Sequence, residues 1–145
     1  MRVSRRGRAS FLLAFLAAVG LGYDAAVHLH LAGGYDAVGS TVTQGMLFRV
    51  EAGAASLVAL AVLVSDRRLV WATAGLTGLV GVAAVVLYRY VDVGTLGPVP
   101  DMYEPVWFPE KTRSALAEGG VAAAWLAREA IRFGSAGLRA PKIPG

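Results

Sequence analysis

The sequence predicts an all-α protein, a bundle of four transmembrane helices with both chain ends on the cytoplasmic side. Of the 145 residues, 56% are hydrophobic and 17% are charged, whereas soluble domains carry about 25% charged residues. Four apolar segments, at about 11–31, 46–64, 69–88 and 114–131, are each close to the ~20 residues that cross a bilayer as a helix. Basic residues gather at alternate connectors, and this asymmetry sets the orientation.

The first segment opens with an uncharged run from Phe11 to Tyr23. A basic start followed by a short apolar run is also typical of a secretory signal peptide, and Arg5 and Arg6 leave a twin-arginine signal open. The apolar character nevertheless continues past Asp24, and no convincing small-residue cleavage site follows. We therefore expect this segment to be retained as a membrane helix.

The remaining segments differ in how clearly they predict a membrane helix. Residues 69–88 contain no charged residue, and residues 46–64 carry two near their outer end. The fourth segment is the weakest, because it contains Glu118, Arg128 and Glu129.

Small residues at four-residue spacing predict close contact between membrane helices. The first segment has Ala14, Ala18 and Gly22 in this pattern, and the third has Ala74 and Gly78. Chance in an alanine-rich chain is the alternative explanation.

The charge distribution predicts the orientation of the bundle. Ten of the fourteen basic residues precede the first helix, join the second to the third, or end and follow the fourth. They are Arg2, Arg5, Arg6, Arg8, Arg67, Arg68, Arg128, Arg132, Arg139 and Lys142. The opposite side carries only four basic residues and most of the acidic ones. Because cytoplasmic connectors are rich in lysine and arginine, both termini are expected in the cytoplasm. The expected location is the inner membrane of a bacterium.

The outer connector, residues 89–109, is too rich in proline to be a regular helix. Its prolines are Pro98, Pro100, Pro105 and Pro109. Its aromatic residues favour the headgroup level of a bilayer. We expect it to fold back over the outer end of the bundle, either as a lid or as a loop anchored at the interface. Pro109 followed by Glu110 suits the first turn of the fourth helix.

Ionisable and tyrosine side chains from all four helices fall at one level in the outer half of the predicted bundle. The candidate polar pocket consists of Asp24, His28, Arg49, Glu51, Tyr88, Arg89, Arg113 and Glu118. Charged residues within membrane helices cost about 2.5–3.5 kcal/mol each on insertion scales. They therefore predict either a ligand pocket or interhelical ion pairs, such as Glu51 with Arg113 or Asp24 with Arg89.

A metal site is the most specific interpretation of this cluster. Asp24 and His28 are four residues apart on one helix face, and Glu51 or Glu118 could complete the ligand set. A proton relay through Asp24, His28 and Glu51 is another possibility, because histidine titrates near neutral pH. His30 is expected to point elsewhere. The sequence predicts no cofactor.

Several function classes are excluded or disfavoured. The chain has no cysteine, which excludes disulfides, thiolate nucleophiles and cysteine-ligated metals. Its basic residues form no stripe, so nucleic acid is not an expected partner. The expected partners are the lipid bilayer and other membrane subunits or further copies of the chain.

The sequence therefore favours a non-enzymatic membrane protein, either a subunit of a larger complex or a binding component with an outward-facing pocket. The alternative is a small transporter or a redox-linked membrane enzyme that uses Asp24, His28, Glu51 and Glu118.

Four short helices, basic inner connectors and the pattern Glu51-x-Gly53-small resemble the DoxX-like group of small four-helix bacterial membrane proteins. The resemblance implies a four-helix fold and a loose link to respiratory or thiol-redox complexes, and it carries over no catalytic residue. The proline-rich outer loop departs from that group. The overall composition is similar to actinobacterial membrane proteins.

Overall fold

The computed structural model describes residues 7–137, and within this range it contains four α-helices and no strand. The helices are α1 (Arg8–Ala32), α2 (Gln44–Val64), α3 (Arg68–Tyr90) and α4 (Pro109–Gly137), and a 3-10 turn (Gly33–Tyr35) follows α1. The prediction of four helices is confirmed. α4 is longer than the predicted apolar segment, residues 114–131. Its first and last turns are polar, so hydropathy did not include them although they are helical.

Three of these helices, α1, α2 and α3, are long and apolar enough to cross a membrane. α4 does not meet the same criterion. Its first turns contain Glu110, Lys111 and Arg113, and Glu118, Arg128 and Glu129 follow further along.

α1 packs extensively against α2 and α4, and α3 packs against α4, whereas α2 and α3 make much less contact. The order around the bundle is therefore α2, α1, α4, α3. The loose pair, α2 and α3, leaves space between them, and the candidate site lies in that space.

The core is built mainly from alanine, and the large apolar side chains face outward. Its buried members are Ala14, Ala17, Leu21, Ala25, Ala52, Ala55, Ala59, Val62, Trp71, Ala74, Val121 and Ala124. Leu57, Leu69 and Leu116 are each at least 70% exposed. Small interior residues let helix backbones approach closely. An exterior covered with leucine is the reverse of a soluble protein surface.

Four of the five glycine and alanine positions predicted to pack between helices do so. Ala14 is fully buried in the core, and Ala18 packs against it. Ala74 is fully buried, and a β-carbon at Gly78 would overlap the backbone of α4 at Glu118. The prediction for Gly22 was wrong, since nothing lies within 4 Å of the place where its β-carbon would be. Gly20 has that role instead, because a β-carbon there would lie 3.1 Å from the Ala117 backbone oxygen.

Two loops close the end of the bundle formed by the C-termini of α1 and α3. We call it the loop end. Thr43 caps α2, because its hydroxyl accepts a hydrogen bond from the Met46 backbone N–H at 3.1 Å. Gly39 has a φ of 112°, and a β-carbon there would lie 3.0 Å from Pro100 Cβ. The two loops therefore meet at Gly39 and Pro100.

The opposite end of the bundle is held by a buried arginine. Arg128 Nη2 donates to the Asp66 backbone oxygen at 2.7 Å and to Asp66 Oδ1 at 3.0 Å, and Nη1 donates to Glu129 Oε1 at 2.7 Å. Its guanidinium carbon lies 4.9 Å from the centre of the Trp71 ring. Arg68 Nε is 3.1 Å from Glu129 Oε2. This network ties the α2–α3 connector to α4.

Candidate ligand-binding site

A cavity of about 520 Å³ lies between α2 and α3 at the loop end. Its volume is within the ~300–1,000 Å³ typical of small-molecule pockets. Phe48 of α2 and Val80, Ala84 and Val85 of α3 contribute apolar walls. Because α2 and α3 pack loosely, this space extends between them to the outer surface of the bundle.

The floor of the cavity is polar and is formed where α1 meets α4. Asp24 and Glu118 are 1% and 3% exposed, and Ser114 is buried between the same helices. The Ser114 hydroxyl donates a hydrogen bond to Asp24 Oδ1. His28 Nδ1 lies 3.2 Å from Asp24 Oδ1 and 3.0 Å from the Asp24 backbone oxygen. Four side chains from two helices thus form one cluster.

Glycine on α3 makes room for the Glu118 carboxylate. A β-carbon on Gly81 would overlap the carboxylate, so any larger residue at this position would push Glu118 away. At Gly78, one turn earlier, the backbones of α3 and α4 are already in close approach. α3 therefore positions the acidic side chain of α4.

The acidic groups of this cluster have no basic partner other than His28. Within residues 7–137, no arginine or lysine forms an ion pair with Asp24, Glu51 or Glu118. Asp24 Oδ2 and Glu118 Oε2 are buried and accept no hydrogen bond. Buried polar oxygens without a partner are uncommon in native proteins and call for an explanation.

The loop between α3 and α4 covers the mouth of the cavity. The Glu104 backbone N–H donates to the Tyr88 backbone oxygen at 2.9 Å, and Lys111 Nζ donates to the Glu104 backbone oxygen at 2.6 Å. Glu104, Phe108 and Lys111 line the cavity. As expected from the sequence, the loop folds back over the end of the bundle. Partial burial lowers the pKa of Lys111, and nearby Arg89 acts in the same direction, although Glu104 opposes both.

The eight residues of the predicted pocket divide into three groups. Four of them line the cavity, namely His28, Glu51, Tyr88 and Glu118. Asp24 lies behind this lining and contacts it through His28. The remaining three, Arg49, Arg89 and Arg113, do not line the cavity. Arg49 points away from it, and its two terminal nitrogens donate to the Asp36 carboxylate at 2.5 and 2.8 Å.

The two ion pairs suggested by the sequence are not formed. Among the residues that the structure describes, neither Glu51 with Arg113 nor Asp24 with Arg89 is an ion pair. Arg113 is exposed, and Arg89 lies over the ring of Tyr90, with 4.9 Å between its guanidinium carbon and the ring centre. Helix rotation, which the sequence could not supply, turns these arginines away from the carboxylates.

Some residues of the site were not predicted. Ser114 is four residues before Glu118 on α4, so helical spacing could have linked the two. Gly81 gave no signal, because its role depends on which side chain of another helix faces it. Glu104 reaches the cavity through the fold of the loop, and Lys111 reaches it from the first turn of α4.

No protein-family model matches the chain, and comparisons with the curated proteins and with the solved structures find no match.

Proposed function

We propose that this chain is a four-span protein of the bacterial cytoplasmic membrane that binds an amphiphilic small molecule between α2 and α3. The observation that carries the proposal is the cavity of about 520 Å³. Its walls are largely apolar and its floor carries ionisable side chains. Pockets of this kind hold an apolar body and orient it through a few polar groups.

The apolar exterior supports a membrane setting, and the packing of α4 supports a fourth span. α4 lies between α1 and α3, and two of its charged residues, Glu118 and Arg128, are buried inside the bundle. Leu116 and Leu126 of the same helix face outward. Charged residues in membrane helices usually face the bundle interior in this way, so α4 could span without exposing these two charges to lipid. With four spans and the arginine-rich connectors inside, both termini are cytoplasmic.

The shape of the cavity indicates how the ligand would enter and lie. Leu76 and Val80 line the cavity and are also exposed on the outer surface of α3. An amphiphile could therefore pass from the bilayer between α2 and α3. Its apolar body would contact the α3 wall, and its polar end would reach His28 and Glu51.

Two neighbouring alanines allow a matched test of the cavity. Ala84 lines it, whereas Ala83 is exposed and does not. Ala84→Phe should fill part of the space and lower the amount of copurified amphiphile about tenfold, equivalent to ~1.4 kcal/mol of binding free energy. Ala83→Phe adds the same side chain and should leave the amount unchanged.

The measurement is liquid chromatography and mass spectrometry of organic extracts from protein purified in a mild detergent, expressed per chain. Equal extracts from wild type and Ala84→Phe, consisting only of bulk lipid, would mean that the cavity holds no specific ligand.

The absence of cysteine makes the orientation testable. Thr95→Cys in the outer loop should react with a membrane-impermeant maleimide on intact spheroplasts, whereas Ser4→Cys should react only after lysis. The opposite labelling pattern would show that the orientation is inverted. Labelling of both sites on intact spheroplasts would exclude the proposed orientation.

A further inference from the structure

We propose that Asp24, His28 and Glu118 bind one divalent transition-metal ion at the floor of the cavity. Each of the three side chains offers one donor atom, and these atoms all lie within 4.8 Å of one another. Zinc-to-ligand distances of about 2.0–2.2 Å place the donors of a tetrahedral site roughly 3.4 Å apart. Small rotations of the three side chains would close the site around an ion.

Two buried oxygen atoms point to a missing ligand of this cluster. Asp24 Oδ2 and Glu118 Oε2 accept no hydrogen bond, although their residues are 1% and 3% exposed. Ser114 satisfies only Oδ1 of Asp24. An uncompensated buried acceptor is costly, and a buried charge is far more so. A bound cation would satisfy both oxygen atoms at once.

The charge of the cluster also favours a cation. Two carboxyl groups and one imidazole lie together, with Glu51 on the nearby cavity wall, and no arginine or lysine of residues 7–137 pairs with them. Two partly buried acids at the other end of the bundle do have a basic partner, since Arg128 contacts both Asp66 and Glu129. A divalent ion would compensate the charges of Asp24 and Glu118, as Arg128 does for Asp66 and Glu129 at the other end of the bundle.

The donor types select the class of metal. One imidazole nitrogen with two carboxylates suits Zn²⁺, Mn²⁺, Fe²⁺ or Co²⁺. Ca²⁺ takes six to eight oxygen ligands, and Mg²⁺ usually keeps several waters. With three protein ligands, a fourth position would remain open, and His28 and Glu118 both border the cavity through which an ion would arrive.

Metal binding can be measured on the full chain in detergent after treatment with a chelator. Zn²⁺ and Mn²⁺ uptake is determined by equilibrium dialysis and elemental mass spectrometry, and Co²⁺ by its visible d–d absorption, which reports coordination directly. Wild type is expected to bind one ion per chain. Asp24→Asn and Glu118→Gln remove a charged ligand while keeping the side-chain shape. Each should weaken binding by roughly 100-fold or more, since losing even a residue that only supports a ligand costs about 10–100-fold.

Glu110→Gln is the matched control. It removes one carboxylate from the first turn of α4, outside the cluster, and should bind like wild type. If wild type takes up none of the three ions stoichiometrically, the proposal is overturned. Equal loss in Glu110→Gln and Glu118→Gln would overturn it as well. The wild-type measurement decides even if a variant folds poorly.

The metal site stands apart from the proposed amphiphile. Ala84→Phe should lose copurified amphiphile and keep Co²⁺ absorption. Asp24→Asn should lower Co²⁺ absorption more than it lowers the amount of copurified amphiphile. Either result can therefore fail without the other.

Discussion

Replacing Arg128 with methionine should destabilise the bundle far more than the same change at Arg132. Arg128 is 2% exposed and donates to Asp66 and Glu129, whereas Arg132 is exposed on the same helix. Removing one partner of a buried ion pair costs about 3–5 kcal/mol, because the other charge is left uncompensated. Glu129 keeps Arg68 at 3.1 Å, and Asp66 is 30% exposed and can be solvated, so we expect a loss at the lower end, about 3 kcal/mol.

For a chain of this length, about 3 kcal/mol lowers the apparent unfolding temperature by about 10 °C. The assay is thermal unfolding in detergent, followed by tryptophan fluorescence, since Arg128 lies over the Trp71 ring. Both variants remove one positive charge from the same end of the bundle, so the topogenic signal is matched. Equal unfolding temperatures for Arg128→Met and Arg132→Met would show that the arginine network does not hold this end together.

Two further predictions concern the loop end. Gly81→Ala should displace the Glu118 carboxylate and destabilise the bundle by about 1–3 kcal/mol, as overpacking does. Gly120→Ala is the control and should unfold like wild type, because its β-carbon would meet nothing within 4 Å. Identical denaturation midpoints for the two variants would contradict the packing of Gly81 against Glu118. The hydrogen bonds from Arg49 lower the pKa of Asp36, so their stabilisation is present above the ordinary carboxyl pKa of ~4 and is lost as the pH falls through the lowered value. At pH 7, wild type should therefore have a higher unfolding temperature than Asp36→Asn. The two unfolding temperatures should converge at more acidic pH. A difference that does not depend on pH would refute the role of the Arg49–Asp36 pair.

The helices were predictable because the signal for each is local. A run such as residues 69–88 is apolar from end to end, and its limits differ from those of α3 by at most two residues. The start of α4 was also readable, since Pro109 and Glu110 suit a first turn. The four-residue spacing of small residues predicted helix packing less well. Ala74 and Gly78 were predicted correctly, but Gly22 was not.

The candidate site was only partly predictable, because it depends on which helices are neighbours. The positions of Asp24, His28 and Glu118 within their apolar segments placed them at one level of the bundle. The packing of α1 against α4 brings them together. Arg49 belongs to the same level by sequence, yet it faces Asp36 on the outer surface of the bundle.

By itself, the sequence determined how many helices form, roughly which part of the chain each one occupies, and at which level their ionisable groups lie. These properties follow from hydropathy and from spacing along one chain. The tertiary structure alone decided which carboxylates meet, that Gly81 leaves space for Glu118, and that a cavity opens between α2 and α3. Rotation about a helix axis turns a side chain inward or outward without changing its depth, and packing against other helices fixes that rotation.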